Sequence, residues 1–493
     1  MSHPPTVSTE TFDTNALAAL ADTTLRDALR NATGHFAQRR RAALSNVRDW
    51  EGLRERARQI KDEILRNLDL YLAEFAAHAE SAGAFVHWAR DAEEACRIVA
   101  TIAHERQAKM IIKSKSMTTE EIELNHALKK ENLEPIETDL GEWIIQLAGE
   151  MPSHIIAPAI HKSKKQIAEL FTEKLGIEPT DDIQVLTNTA RTFLRQSFAE
   201  ADLGISGVNF GIVETGSFLV LENEGNIRMT TTLPATHIAV MGIEKLIPRF
   251  ADLDIFLKLL PRSGSGQQLT TYQSIITGPK RNKNDEGPDE VHIVLLDNGR
   301  SRMLAHPVTR QSLACIRCGA CLNACPVYQQ IGGHAYGSVY PGPIGAVITP
   351  QLIGLKKASQ LPYASSLCGA CREVCPVKID IPELLLHLRS EIIDGGVEGM
   401  PGKHPVKSPV KQKLPERLTF RLWSMMMKSP RLYEFGALVG RVLQPLIVRG
   451  DQIGKQSRFV RMFMPPLGAW TKARDLRPLA KRSFREIWNE KEF

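Results

Sequence analysis

CIRCGACLNACPV, residues 315–327, sets four cysteines in the pattern C-x2-C-x2-C-x3-C-P. That is the bacterial-ferredoxin spacing for a [4Fe-4S] cluster. Three thiolates on one tight turn can each hold an iron of the cubane, small residues such as Gly319 and Ala320 let the backbone wrap it, and Pro326 redirects the chain. In two-cluster proteins the fourth cysteine serves the other cluster. A second copy, LCGACREVCPV at residues 367–377, supplies Cys368, Cys371 and Cys375 before Pro376. Crossing the ligands as in such proteins predicts Cys315, Cys318, Cys321 and Cys375 for one cluster, and Cys325, Cys368 and Cys371 for the other.

The second set is one thiolate short, and the position that would complete it holds Ser365. A [3Fe-4S] cluster, a [4Fe-4S] cluster with a non-cysteine ligand, and one with an open iron are the three outcomes left. We adopt two [4Fe-4S] clusters, the second with an unassigned fourth ligand. Zinc is the alternative for paired C-x2-C units, but a tetrahedral zinc site needs neither the long motif nor its near-repeat. Between the motifs lies GSVYPGPIGAVITP (residues 337–350), and a helical stretch, Pro382–Ile393, follows them. Residues 301–394 therefore read as an all-α two-cluster ferredoxin-type domain.

Upstream the pattern changes. An apolar run at Ala84–Ala89 precedes Asp91, a helix N-cap candidate with Glu93 and Glu94 in the first turn, and a second run follows at Lys109–Lys113. Strand, helix, strand at this length marks a parallel α/β unit. Helices are expected at Glu120–Lys129, Glu142–Leu147, Lys164–Leu175 and Asp182–Ala199. Extended segments are expected at Leu133–Glu137, Ser153–Ala157, Val208–Val213, Ser217–Leu221, His237–Met241, Tyr272–Ile276 and Val291–Leu296. Residues 84–300 thus read as one α/β domain with a mixed sheet. Residues 1–83 read as a helical amino-terminal arm, with Ile60, Ile64, Leu68, Leu72 and Phe75 on one apolar stripe.

Within the α/β segment, Glu214, Thr215, Gly216, Asn223, Glu224, Gly225 and Asn226 form the most polar, glycine-rich cluster. Such loops hold a carboxylate or phosphate through exposed N–H groups, or are plain tight turns. Lys113, Lys115, His154, His161 and His237 are candidates to neutralise an anionic substrate, each also readable as structural. No catalytic residue is assigned. Cys96, among Ala, Ile and Val, reads as a buried apolar residue. His334, between the motifs, reads as structural, with cluster tuning as the alternative.

The chain has 493 residues, 43% hydrophobic and 24% charged, an ordinary globular balance that excludes a disordered or collagen-like polymer. Eight cysteines, seven of them between Cys315 and Cys375, do not make a disulfide scaffold at this length. The net charge of +6 is unevenly spread: residues 401–493 carry 20 Lys+Arg against 7 Asp+Glu, which makes them +13 and leaves −7 for the rest. Residues 395–493 read as a Gly/Pro/Lys-rich linker and a basic carboxy-terminal extension. No nucleic acid is expected, because aromatics are not interleaved with the basic clusters Arg417–Arg421 and Arg474–Arg485 and no reader motif is present. Peripheral contact with anionic lipid through the semi-amphipathic Tyr433–Val448 segment is one reading, and docking on an acidic partner protein is the preferred one. The first residues carry no secretory signal, no stretch reaches the ~18 apolar residues of a membrane span, and the expectation is a cytoplasmic protein with reduced thiols. Neither a G-x-G-x-x-G after a strand nor a P-loop is present.

With these motifs placed, the sequence resembles the lactate utilization protein B family, bacterial iron–sulfur proteins of L-lactate oxidation. The resemblance is carried by KSKSMTTEE (Lys113–Glu121), IETDLGEWIIQLA (Ile136–Ala148), PSHIIAPAIHK (Pro152–Lys162), GVNFGIVETGS (Gly207–Ser217), NEGN (Asn223–Asn226) and both cysteine motifs, and it covers nearly the whole chain. It implies that residues 84–300 are a lactate-utilization domain, similar in fold to the sugar-phosphate isomerase and coenzyme A transferase group. It implies partner proteins of an A type, rich in cysteine, and a C type, another lactate-utilization-domain protein. It also implies that the missing fourth cysteine of the second motif is a family trait. The expected function is an iron–sulfur electron-transfer component of a complex that oxidises L-lactate to pyruvate and passes electrons through two clusters to a respiratory acceptor. The alternatives are an α/β domain with its own acyl-transfer or isomerase-like activity, and a redox-sensing iron–sulfur binding protein.

Overall fold

The structure, a computed structural model, describes residues 8–394, 414–446, 448–449, 452–453 and 477–490. The chain divides into two compact units, residues 1–410 and 411–493.

At the centre of the first unit lies a six-stranded sheet built from β1 (Phe85–Ala89), β2 (Ile111–Lys113), β3 (Pro135–Glu137), β4 (Leu203–Gly207), β7 (Thr236–Gly242) and β10 (Glu290–Leu296). Its order is β1-β10-β7-β4-β2-β3, and every pairing is parallel. The sequence shows why. All of β7 and nearly all of β10 are buried, as strands covered on both faces must be, so they read as continuous apolar runs rather than alternating ones. One face packs on the helix Ala92–Glu105 through Val99, Ile102 and Ala103; the other packs under the helix Leu68–Ser81 through Leu72 and Phe75. Pro135, which cannot donate to a ladder, falls on the edge strand.

Where the sequence suggests one mixed sheet, there are two sheets. A second, four-stranded sheet has the order β8-β5-β6-β9, from β5 (Phe210–Ile212), β6 (Ser217–Glu222), β8 (Leu246–Ile247) and β9 (Tyr272–Ile276), with β6 antiparallel to both of its neighbours and β8 parallel to β5. The expected extended run at Val208–Val213 breaks at Asn209, whose side chain accepts the Leu221 N–H at 2.8 Å and whose own N–H goes to the Leu219 carbonyl, so the chain leaves the first sheet and enters the second. Ser153–Ala157, expected to be extended, is irregular. His154 Nδ1 accepts the N–H groups of Ile156 and Ala157 at 3.1 and 3.3 Å and takes the donors a ladder would need.

The amino-terminal segment is four main helices, Phe12–Ala21, Thr23–Ser45, Trp50–Arg66 and Leu68–Ser81. Asp22 and Asp49 cap the second and third by accepting the N–H groups of Leu25 and Gly52. These helices share one hydrophobic core with the cysteine segment: Phe12, Leu29, Ile60 and Leu65 pack with Leu322, Tyr328, Tyr336, Val347 and Leu384. From Arg300 to Asp394 the chain contains only helices and helical turns, as expected.

In the second unit, helices Leu414–Lys428, Pro430–Leu443 and Phe484–Glu490 and a two-strand ladder, Val448–Arg449 with Gln452–Ile453, are described. The linker read from sequence, apart from residues 414–415, and residues 474–476 of the Arg474–Arg485 cluster lie outside the described residues. No helix among the described residues is long and apolar enough to cross a membrane.

Candidate cluster site and adjoining cleft

The two cysteine motifs fold alike at an offset of 50 residues. Arg317 and Leu367, one before the second cysteine position, adopt φ of 59° and 54°, and Gly319 and Gly369, one after it, adopt 75° and 85°. Two left-handed residues around each thiol curl the chain tightly; the non-glycine member of each pair is uncommon there and is held in place by its surroundings. A five-residue helix follows each time, Ala320–Ala324 and Ala370–Val374, and the two helices pack together.

This packing sorts the thiols. Cys318, Cys321, Cys325, Cys371 and Cys375 are buried, Cys315 is partly buried and Cys368 is exposed. Burial raises the Cys318 thiol well above its ordinary range, and the neighbouring Cys375 and Cys315 raise it further. Burial and then Cys315, Cys318 and Cys375 do the same to Cys321. Cys375 is pushed up to about 11 by burial, with Cys315 adding to it. Cys371, pushed up to about 12, feels Cys325 and Cys368 after burial, and Cys325 feels Cys368. Cys315, Cys318, Cys321 and Cys375 thus act on one another, as do Cys325, Cys368 and Cys371, and Cys371 also acts on Cys321, so the seven thiols lie close together. N–H groups of Arg317, Tyr328 and Ile379 donate to the sulfurs of Cys315, Cys325 and Cys375 at 3.4, 3.5 and 3.3 Å. Buried sulfurs with N–H donors, facing one another in groups, fit cluster ligation: iron displaces the protons that burial otherwise keeps on the thiols.

Cations surround the first group. Arg54 donates to the carbonyls of Cys375 and Arg372, and Lys61 to those of Glu244 and Leu246. Arg317 lies 4.7 Å above the Tyr340 ring and 3.6 Å from Glu244. Glu244 pairs with Arg300 at 2.6 Å, and Arg300 grips Glu121 with two bonds of 2.8 Å, while the Tyr340 hydroxyl donates to Glu121 at 2.6 Å. This buried network ties the cysteine segment to the α/β segment.

Between the two lies a cleft of about 310 Å³, at the carboxyl ends of β2, β4 and β7, where open parallel sheets bind ligands. Lys115, Asp139, Glu222, Glu224, Lys245, Arg317 and Cys318 are in its wall. Gly264 closes the wall against the cluster loop, since a Cβ there would sit 2.5 Å from the Cys318 carbonyl.

The candidates from sequence separate accordingly. Lys115, Asn223, Glu224 and Asn226 line the cleft. Glu214 lines a different surface groove, with Tyr71, His78 and Arg249, and accepts the Phe250 N–H at 2.7 Å. Lys113 is buried away from both, held by Glu137 at 2.7 Å and Glu120 at 2.8 Å. His154 donates through Nε2 to Asn323 and is lowered to about 3 by burial, so it stays neutral. His237, hydrogen-bonded to Ser206, is likewise lowered to about 3 by burial. His161 meets Glu150 at 2.8 Å, and His334 donates to the Met151 carbonyl at 2.6 Å rather than facing a cysteine. Cys96 is buried, its thiol donating to the Ile122 carbonyl and pushed up to about 11 by burial. Lys245 and Arg317 carry no motif signal, because a lone lysine and an arginine between two cysteines are unremarkable in sequence.

Comparisons with known proteins match three family models to the chain. The LUD domain family matches residues 72–296, the 4Fe-4S dicluster domain family residues 311–379, and the family described as lactate utilisation protein B, C-terminal, residues 387–493. The chain is 41% identical to lactate utilization protein B of Bacillus cytotoxicus over 484 residues, 98% of either chain, and 40% identical, with the same coverage, to its namesakes in Bacillus thuringiensis and Bacillus anthracis. Full-length identity at this level, joined to a dicluster domain on the seven cysteines, means that the chain belongs to the lactate utilization protein B family and has an iron–sulfur role in lactate utilization.

Proposed function

We propose that this protein is the cytoplasmic iron–sulfur electron-transfer subunit of a complex that oxidises L-lactate to pyruvate, assembled with A-type and C-type lactate utilization proteins and delivering electrons to a respiratory acceptor. The observation that carries the reading is the convergence of the two cysteine motifs, whose helices Ala320–Ala324 and Ala370–Val374 pack together. Cys315, Cys318, Cys321 and Cys375 would hold one [4Fe-4S] cluster, and Cys325, Cys368 and Cys371 would hold the other, its fourth ligand unassigned. Bound there, the clusters supply one-electron transfer. The protein's own residues set the conditions for it: burial of Cys318, Cys321 and Cys375 limits water at the first group, and N–H donors offset the sulfur charge. Exposure of Cys368 brings the second cluster to the surface, where a partner can reach it. The domains that serve this function are the helical segment 1–83, the lactate-utilization domain 84–300, the cluster domain 301–394 and the basic extension 395–493. Anaerobic purification with both partners, followed by lactate addition, tests the reading through the cluster spectrum.

A further inference from the structure

The cleft is lined by charges of both signs, but they are not equally committed. Its carboxylates are used by backbone donors: Glu222 accepts the N–H groups of Ile227 and Arg228 at 2.8 and 2.7 Å, Glu224 that of Leu140 at 3.1 Å, and Asp139 that of Glu142 at 3.1 Å. Its cations keep unused donors. Lys245, only 8% exposed, makes no hydrogen bond or ion pair within hydrogen-bonding distance among the described residues, and neither does the half-buried Lys115. Arg317 meets Glu244 at 3.6 Å and stacks on Tyr340, but its side chain is 9% exposed and its Nη1 is buried with no hydrogen-bond partner.

Burying a cation without a partner is costly, and native structures rarely tolerate it. Part of this charge serves the first thiol group, since Cys315 acts on Lys61, Lys245 and Arg317 alike. Arg54 and Lys61, however, spend their N–H groups on carbonyl and carboxylate oxygens, whereas Lys245 and the Nη1 of Arg317 keep unpartnered donors in residues of the cleft wall. These donors suit an anion of modest size, and a volume of about 310 Å³ admits a small organic acid with room to spare.

We propose that this cleft binds a small carboxylate, a 2-hydroxy acid or its 2-oxo counterpart, with the carboxylate held between Lys245 and Arg317 beside Cys318, and Lys115 at the mouth. Arg317 offers the planar donor face suited to a carboxylate, and Lys245 and Lys115 add point charges. The preference for a carboxylate over other anions rests on the lactate reading above; the open cations do not. The site would make the α/β domain a ligand-binding module set directly against the first cluster.

The test uses the full-length, cluster-loaded chain without partners, under anaerobic conditions. Equilibrium dialysis with labelled L-lactate and labelled pyruvate is expected to show saturable binding of about one ligand per chain, each competing with the other, and the EPR spectrum of the dithionite-reduced first cluster should shift when the ligand binds. Lys245→Gln, and independently the more accessible Lys115→Gln, should each weaken binding about tenfold or more with iron content unchanged, the scale of one lost charge-assisted hydrogen bond. No saturable binding at millimolar ligand would overturn the inference. So would binding that inorganic phosphate displaces equally well, or a Lys245→Gln variant that alters the cluster potential but binds normally. Because binding is read on the isolated chain, its failure is distinct from a failure of lactate to reduce the clusters in the presence of partners.

Discussion

The Cys315 sulfur accepts the Arg317 N–H at 3.4 Å, and fifty residues later the Ser365 hydroxyl accepts the Leu367 N–H at 3.1 Å. The serine therefore stands in the backbone setting of a ligating cysteine. We expect about eight irons per chain from two four-iron clusters. Ser365→Ala should make the second cluster lose an iron on air oxidation, seen as a three-iron EPR signal and about seven irons, and Ser365→Cys should protect it. A native protein that already holds about seven irons and shows that signal would contradict the four-iron assignment.

Lys113 and Lys115 look interchangeable in KSKSMTTEE but lie in different surroundings. Lys113→Met leaves the carboxylate of Glu137 buried without its cation, a loss of roughly 3–5 kcal/mol on the scale of broken buried pairs. Lys115→Met removes no ion pair and should cost less than about 1 kcal/mol. Denaturant unfolding of the two variants checks this, and equal losses would refute the difference.

His154 and His237 are both kept neutral by burial, with folded values of about 3. Their unfolded values lie near 6.5, so below that pH the unfolded chain binds the protons that the folded chain refuses. Stability should thus be unaffected by these groups above pH 6.5 and fall as pH drops toward 3, with a slope of up to about 1.4 kcal/mol per pH unit for each histidine. His237→Asn should flatten the acid limb of the melting profile. An acid limb unchanged in that variant would exclude this origin.

The second unit exposes Phe420, Trp423 and Met427 on one helix and Tyr433, Phe435 and Leu438 on the next, on a tail of net charge +13. Large exposed apolar faces flanked by basic residues suit an acidic protein partner. A chain ending at residue 394 should keep its cluster absorbance but fail to co-purify with the A- and C-type proteins, and the full complex should weaken as salt rises. Intact assembly of the shortened chain would count against the docking role.

The sequence makes the cysteine groups and the parallel α/β segment legible because their signals are local: a spacing, a turn, a run of buried β-residues. The division into two sheets hides in a single residue, Asn209, whose side chain captures the Leu221 N–H across the turn. The cleft hides for another reason. Lys115, Lys245 and Arg317 are brought together by strand ends and a cluster loop far apart in the chain, and the Tyr340–Glu121 bond that helps fix them spans 219 residues. Glu214 and Glu224, ten residues apart and read as one polar cluster, are carried by β6 to opposite ends of that strand, so only Glu224 reaches the cleft.

The most direct measurement follows the cluster absorbance and EPR of the anaerobically purified complex after L-lactate is added. Reduction of the clusters that requires lactate and both partners, and that fails in a Cys321→Ser variant, is the result expected. Lactate turnover to pyruvate with the clusters remaining oxidised throughout would contradict the electron-transfer role.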